Sequence, residues 1–109
     1  MPVVIVTAAE HPAGVDLLGG IADAVAAALG LGDGDVIAVG AAAAAVAVSG
    51  RGPGAGDWIV VSIHGSDRGA DATRAARAAA ESAAADWGMS HDVAVEGVWT
   101  EWIPPEPTW

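Results

Sequence analysis

The chain has 109 residues and 14 acidic against four basic side chains, for a formal net charge of −10, and it contains no cysteine. That length holds one domain, and that charge repels phosphate backbones and anionic lipid, which sets nucleic-acid and membrane-surface partners aside. Without cysteine there are no disulfides, thiol nucleophiles or thiolate metal sites.

Val3-Val4-Ile5-Val6 opens the chain as a strand of Pro2 to Ala8, apolar on both faces like a covered strand. No basic segment precedes it, so no signal peptide is expected, and the longest apolar run, Ala38 to Val48, is too short to cross a bilayer. The expectation is a cytoplasmic protein. Methionine ahead of a small residue such as proline is normally trimmed. Trimming here would leave Pro2 as a secondary amine at the start of a strand.

His11-Pro12-Ala13-Gly14 breaks the strand, and Asp16 to Leu29 follows as a helix. Its apolar stripe is Leu17, Leu18, Ile21, Val25 and Leu29, and Gly30-Leu31-Gly32 ends it. Asp35 to Gly40 reads as the second strand. The Ala41–Ala45 tract favours helix by propensity, yet Val46-Ala47-Val48 alternates like a strand, so the tract reads as a bend before a short strand. Ser49 to Gly56 is a glycine-rich loop. It lacks Gly-Lys-Ser/Thr, and its proline removes an amide donor, so it is no phosphate-binding loop.

Trp58 to His64 is the third long strand. Gly65-Ser66-Asp67 supplies caps for a helix from about Gly69 to Trp87, closed by Gly88. Asp92 to Thr100 reads as the last strand, and the proline-rich tail from Ile103 to Trp109 as an extended end. The order is β-α-β, glycine loop, β-α-β. The layout predicts an internal duplication, with halves of about 1–48 and 57–102 and a tail of 103–109. The core is light, because alanine dominates and Phe and Tyr are absent. Four of the five Trp lie from Trp87 onward, so aromatic surface is expected to be buried late in the chain or between chains.

Chemistry is concentrated in few residues. A free Pro2 amine could act as a base or a nucleophile. Arg68, beside a helix N-terminus, either holds a carboxylate through a bidentate pair or pairs with Asp67 or Asp71. Arg51 either closes over a substrate or sits in a linker. Asp35 either serves the amine through water or a proton, or caps a turn. His64 either lines a pocket or hydrogen-bonds a carbonyl. Trp99 and Trp102 either wall a site from a neighbouring subunit or cover a sheet edge. His11, His64 and His91 lack the close spacing of a local metal motif, so no metal and no cofactor is expected.

Pro2 with its strand, Leu31-Gly32-Asp33-Gly34-Asp35, Ser62-Ile63-His64-Gly65-Ser66-Asp67-Arg68 and Asp92-Val93-Ala94-Val95 together resemble the tautomerase superfamily. The nearest layouts are the two-unit subunits of malonate semialdehyde decarboxylase and macrophage migration inhibitory factor. The resemblance implies duplicated β-α-β units in a four-stranded sheet with two helices on one face, assembled as a homotrimer. It places Asp35 where the decarboxylase branch has an aspartate working with the proline, and Arg68 on one of that branch's two carboxylate-holding arginines. The second arginine, near Ser66, is missing, as are an arginine in the first turn and any lysine or tyrosine. The implied activity is tautomerisation of a small 2-oxo or enol carboxylic acid. Decarboxylation or hydration of a three-carbon acid is the alternative on the same fold. A catalytically inactive oligomer and a ligand-binding ferredoxin-like dimer are the competing readings.

Overall fold

The computed structural model describes residues 1–53 and 57–105. The elements run β1 (Val3–Ala8), α1 (Gly14–Leu29), β2 (Ile37–Ala42), β3 (Ala47–Val48), β4 (Gly52–Pro53), β5 (Asp57–His64), α2 (Ala70–Ser90) and β6 (Val95–Ile103). The main sheet has the order β2-β1-β5-β6. Each long half is a parallel pair, β1 with β2 and β5 with β6, and the halves meet antiparallel along β1 and β5. Both helices cross over between parallel strands, as parallel pairing demands. The chain is therefore an α/β protein of two β-α-β units, as its layout predicts.

Alternation divides the sheet into two faces. Val4 and Val6 pair with Ile63 and Val61, and these four are buried with Ile59 beneath the helices. Leu17, Ile21 and Val25 of α1 and Ala76, Ala80 and Ala84 of α2 complete this layer. Each fully buried Val or Ile contributes about 1.5–3 kcal/mol. The alanine stripe contributes little area and lets α2 lie close. The opposite face carries Ile5, Ile37, Val39 and Trp99, all exposed, with Trp99 at 61%.

Several boundaries differ from the sequence reading. The first half's second strand starts at Ile37 and absorbs Ala41 and Ala42 from the alanine tract, because β1 offers partners as far as Ala8. The rest of the tract bends, and Ala47–Val48 pairs with Gly52–Pro53 in a separate two-stranded sheet. Gly88 does not close α2, which runs on to Ser90. A β-carbon on Gly88 would stand 2.6 Å from Val95 Cγ2 and 3.2 Å from the Val93 carbonyl, so this glycine serves close packing. The stop is made at Asp92, the one non-glycine residue with positive φ among those described (54°), and the Val93 N–H donates back to Gly88 O at 2.9 Å. That turn uses Asp92 to Ala94, so the last strand starts at Val95 and extends through Ile103. Of the expected extended tail, residues 106–109, including Trp109, lie outside the described residues.

Glycine is required where Trp58 lies over Gly97, its cross-strand partner on the open face. Any β-carbon there would collide with the Trp58 six-membered ring. Among the described residues no helix is long and apolar enough to cross a membrane.

Candidate active site at the Pro2 end of the sheet

The register brings one end of each long strand together. Val3 pairs with both Ile37 and His64, and His64 pairs with Ile103. Pro2, the start of β2, the end of β5 and the end of β6 thus share one end of the sheet. Pro2 is fully buried, and its carbonyl accepts the Ile37 N–H at 3.2 Å. Met1, by contrast, is 73% exposed.

Gly65 follows β5 and lets two side chains approach each other. A β-carbon on it would stand 2.9 Å from Trp102 Cζ2 and 3.7 Å from Pro2 Cβ. The Trp102 indole and the Pro2 ring therefore flank the same spot. Trp102, which the sequence reading places either as a wall from a neighbouring subunit or over a sheet edge, packs next to Gly65 within the same chain. The signal for this placement is the register, which aligns it with Ile63. A cavity of 410 Å³ opens at this end of the sheet, lined by Met1, Val3, His64, Gly65, Ser66, Ile103, Pro104 and Pro105; Pro2 is buried next to it, between Met1 and Val3 in the chain, and does not itself line it.

Arg68 lies three residues beyond Gly65, just ahead of α2. Neither candidate carboxylate takes it. Asp67 Oδ1 accepts the Gly69 N–H at 2.8 Å, and Asp71 pairs with Arg74 at 3.2 Å. Arg68 Nε is buried with no hydrogen-bond partner. The N-terminus of α2 next to it has no side-chain cap. A cation and uncapped helix amides together favour an anion. Burying an unpaired donor costs about 1–3 kcal/mol, which a ligand would offset.

The other predicted site residues divide between the two ends. Asp35 stands two residues before β2, at the Pro2 end. Its carboxylate accepts the Gly32 N–H at 2.9 Å and closes the preceding turn, so one oxygen is committed to structure. His64 lines the cavity from the open face. Trp99 pairs with Val60, well along the sheet, and Arg51 makes a 2.6 Å ion pair with Glu96 at the far end, next to the Val95–Asp57 pairing. Within one subunit, Arg51 and Trp99 are not gathered with Pro2. No group of three or more His, Cys, Asp or Glu among the described residues could hold a metal ion.

No family model and no curated protein matches the sequence. Solved structures match the fold. A fused 4-OT described as a wild-type symmetric trimer has a TM-score of 0.71 at 22% identity, covering 96% of this chain and 85% of its own. FG41 malonate semialdehyde decarboxylase, inhibited by 3-bromopropiolate, has a TM-score of 0.72 at 14% identity, covering 96% and 84%. Macrophage migration inhibitory factor from Toxoplasma gondii has a TM-score of 0.72 at 18% identity, covering 98% and 93%. All three are tautomerase-superfamily proteins, and their fold is the fold of this chain.

Proposed function

We propose that this chain, which carries the tautomerase fold, is a cofactor-free tautomerase of a small 2-oxo or enol carboxylic acid, with the Pro2 amine as general base. The observation that carries the reading is that a buried Pro2 and an Arg68 that no carboxylate neutralises among the described residues stand at the same end of the sheet. In this reading the Arg68 guanidinium holds the substrate carboxylate. The Pro2 nitrogen takes a proton from the carbon next to the keto group as the C=C bond forms and gives it to the carbonyl oxygen, which becomes the enol hydroxyl, and Asp35 orients a water or relays the proton through its second oxygen. His64 borders the substrate. Met1 lines the cavity beside Pro2, so its removal both frees the nitrogen and widens the opening.

A proton transfer of this kind needs the amine neutral. An ordinary α-amino group titrates near 7.7–8.0, and burial disfavours its charged form. The pyrrolidine is buried and lies beside Gly65.

The reading includes assembly. The open sheet face exposes Ile5, Ile37, Val39 and Trp99, more apolar surface than a solvated sheet face needs. The fused 4-OT structures are symmetric trimers. A homotrimer that covers this face would also be the means by which Trp99 and Arg51 of one copy approach the Pro2 of another.

Phenylpyruvate tautomerisation by the purified protein tests the base. Protein whose intact mass shows that Met1 is gone is expected to turn over. The same protein carrying residual N-terminal residues is expected to be inactive, and equal activity of the two forms overturns the assignment. Arg68→Ala is expected to raise KM by about ten- to a hundredfold, the worth of a charged hydrogen bond, with a smaller change in kcat. Decarboxylation of a three-carbon 3-oxo acid is the second reading. It rests on the position of Asp35 and on the likeness to malonate semialdehyde decarboxylase, and release of carbon dioxide from malonate semialdehyde separates the two.

A further inference from the structure

One carboxylate has no part in the Pro2 chemistry and stands in an apolar setting. The open face of the sheet runs through Val39, Ile5, Val60 and Trp99, and Glu101 is the one carboxylate among its paired positions. Glu101 belongs to the edge strand β6, yet its side chain turns inward. Its Oε1 accepts the Ser62 hydroxyl at 2.7 Å, and Ser62, on the central strand β5, pairs with Glu101 on one side and Ile5 on the other. A hydroxyl offers one proton to a group with about four acceptor sites. Covering this charge with apolar side chains alone would leave most of those sites empty, which is costly.

The basic residues narrow what can meet it. The chain has four arginines and no lysine. Arg74 and Arg77 are on α2, which packs on the opposite face, and Arg68 lies just ahead of α2. Arg51 stands outside the helix layer, in the turn between β3 and β4. It is held by Glu96, with the two side chains 53% and 32% exposed. An ion pair this open to water contributes little, so it is readily exchanged for a drier one. Within one chain that exchange cannot reach Glu101. Glu96 and Glu101 are five positions apart along β6, about 16 Å at the rise of an extended strand.

We propose that Arg51 of one copy pairs with Glu101 of the next, and that this contact fixes how copies join on the open face. The pairing rests on the homotrimer reading above. It joins two different patches of the same chain, as a closed ring of copies requires. Ser62–Glu101 and His64–Ile103 are successive cross-strand pairs on this face, and His64 and Ile103 line the cavity at the Pro2 end. The contact therefore seats the neighbouring guanidinium close to the rim of that cavity.

Sedimentation velocity over a dilution series tests the pairing by the sign of one substitution. Glu101→Gln keeps an acceptor for Ser62 and removes the charge. It is expected to raise the concentration at which assembly is half complete by at least about tenfold, because a desolvated guanidinium loses its partner. Arg51→Gln is expected to act in the same direction, and the double substitution to cost less than the two combined. Tighter assembly of Glu101→Gln would mean that the inward carboxylate only blocks the face, and would overturn the pairing. Cross-linking gives a second measurement, since the chain has no cysteine of its own. Arg51→Cys with Glu101→Cys, treated with a short bismaleimide at a concentration where it sediments as an assembly, is expected to give covalent trimers on a denaturing gel. Either substitution alone can give only covalent pairs. An assembled double variant that yields no covalent trimer overturns the pairing and leaves the assembly standing. Unsubstituted protein that stays monomeric at every concentration overturns the assembly itself.

Discussion

Pro2→Ala is expected to lower kcat/KM for tautomerisation by about 10²–10⁴-fold, the usual worth of a positioned general base. That loss corresponds to roughly 3–5 kcal/mol of transition-state stabilisation. Alanine after trimming still presents an amine, so the loss measures placement and basicity. Proline fixes φ near −65° and removes one rotor from the base. Its ring is also buried, with Gly65 beside it. The substitution removes a few methylenes from a buried position, so circular dichroism and sizing are expected to show an intact fold and assembly. A pH–rate profile supplies the second readout: the acidic limb, where turnover falls as the amine takes up a proton, is expected to move in the alanine protein, because a primary amine in a looser setting titrates differently. Unchanged turnover and an unchanged profile would remove the amine from the mechanism.

The largest expected stability effect of a single methyl group is at Gly97. Alanine there would place its β-carbon against Cζ3 of Trp58, 2.5 Å from Cη2 and 2.8 Å from Cε3. These atoms belong to a rigid ring, not to the end of a flexible chain, so the ring must leave the position. Overpacking of this kind costs about 1–3 kcal/mol, and displacing a half-buried indole also returns some of its 150–250 Å² to water. Thermal unfolding at matched protein concentration is expected to show a fall in Tm of about 4–8 °C for each kcal/mol lost. Trp58→Leu in the Gly97→Ala background removes the collision. The double substitution is expected to cost less than the sum of the two single ones, with a coupling of about 1 kcal/mol or more. Simple additivity would show that the ring does not rest on Gly97.

The elements were legible wherever hydrophobic periodicity was strong. The stripe Leu17, Ile21 and Val25 marks α1, and all three are buried. Val3 to Val6 and Trp58 to His64 mark the two central strands of the sheet. The failures fall where a residue type has two uses. Gly88 reads as a helix stop, because glycine ends helices, but here it makes room for Val95. Asp92 reads as the start of a strand, but it provides the stop. The alanine tract carries no pattern of its own, and Ala41 and Ala42 became strand because β1 had unpaired backbone beside them.

The candidate site was legible in part for the same kind of reason. Pro2, Arg68 and Asp35 stand out because so few polar residues compete with them in this chain, and that scarcity is visible in one dimension. Their placement at one end of the sheet follows from the strand order and the antiparallel join of β1 and β5. Hydrogen-bond allocation is less visible still. Asp67 and Asp71 sit beside Arg68 in sequence, yet one is used by the Gly69 amide and the other by Arg74.

By itself, the amino-acid sequence determined the class of fold, the duplicated layout and the scarcity of chemistry, since each of these follows from local pattern and composition. Only the tertiary structure decided which residues meet. Burial, register and the sharing of hydrogen-bond partners are properties of positions brought together from far along the chain. They place Gly65 beside Pro2 and Trp102 beside Gly65, and they carry Arg51 away to Glu96 at the far end. They also gather His11, Trp87 and His91, from opposite halves of the sequence, into one aromatic corner.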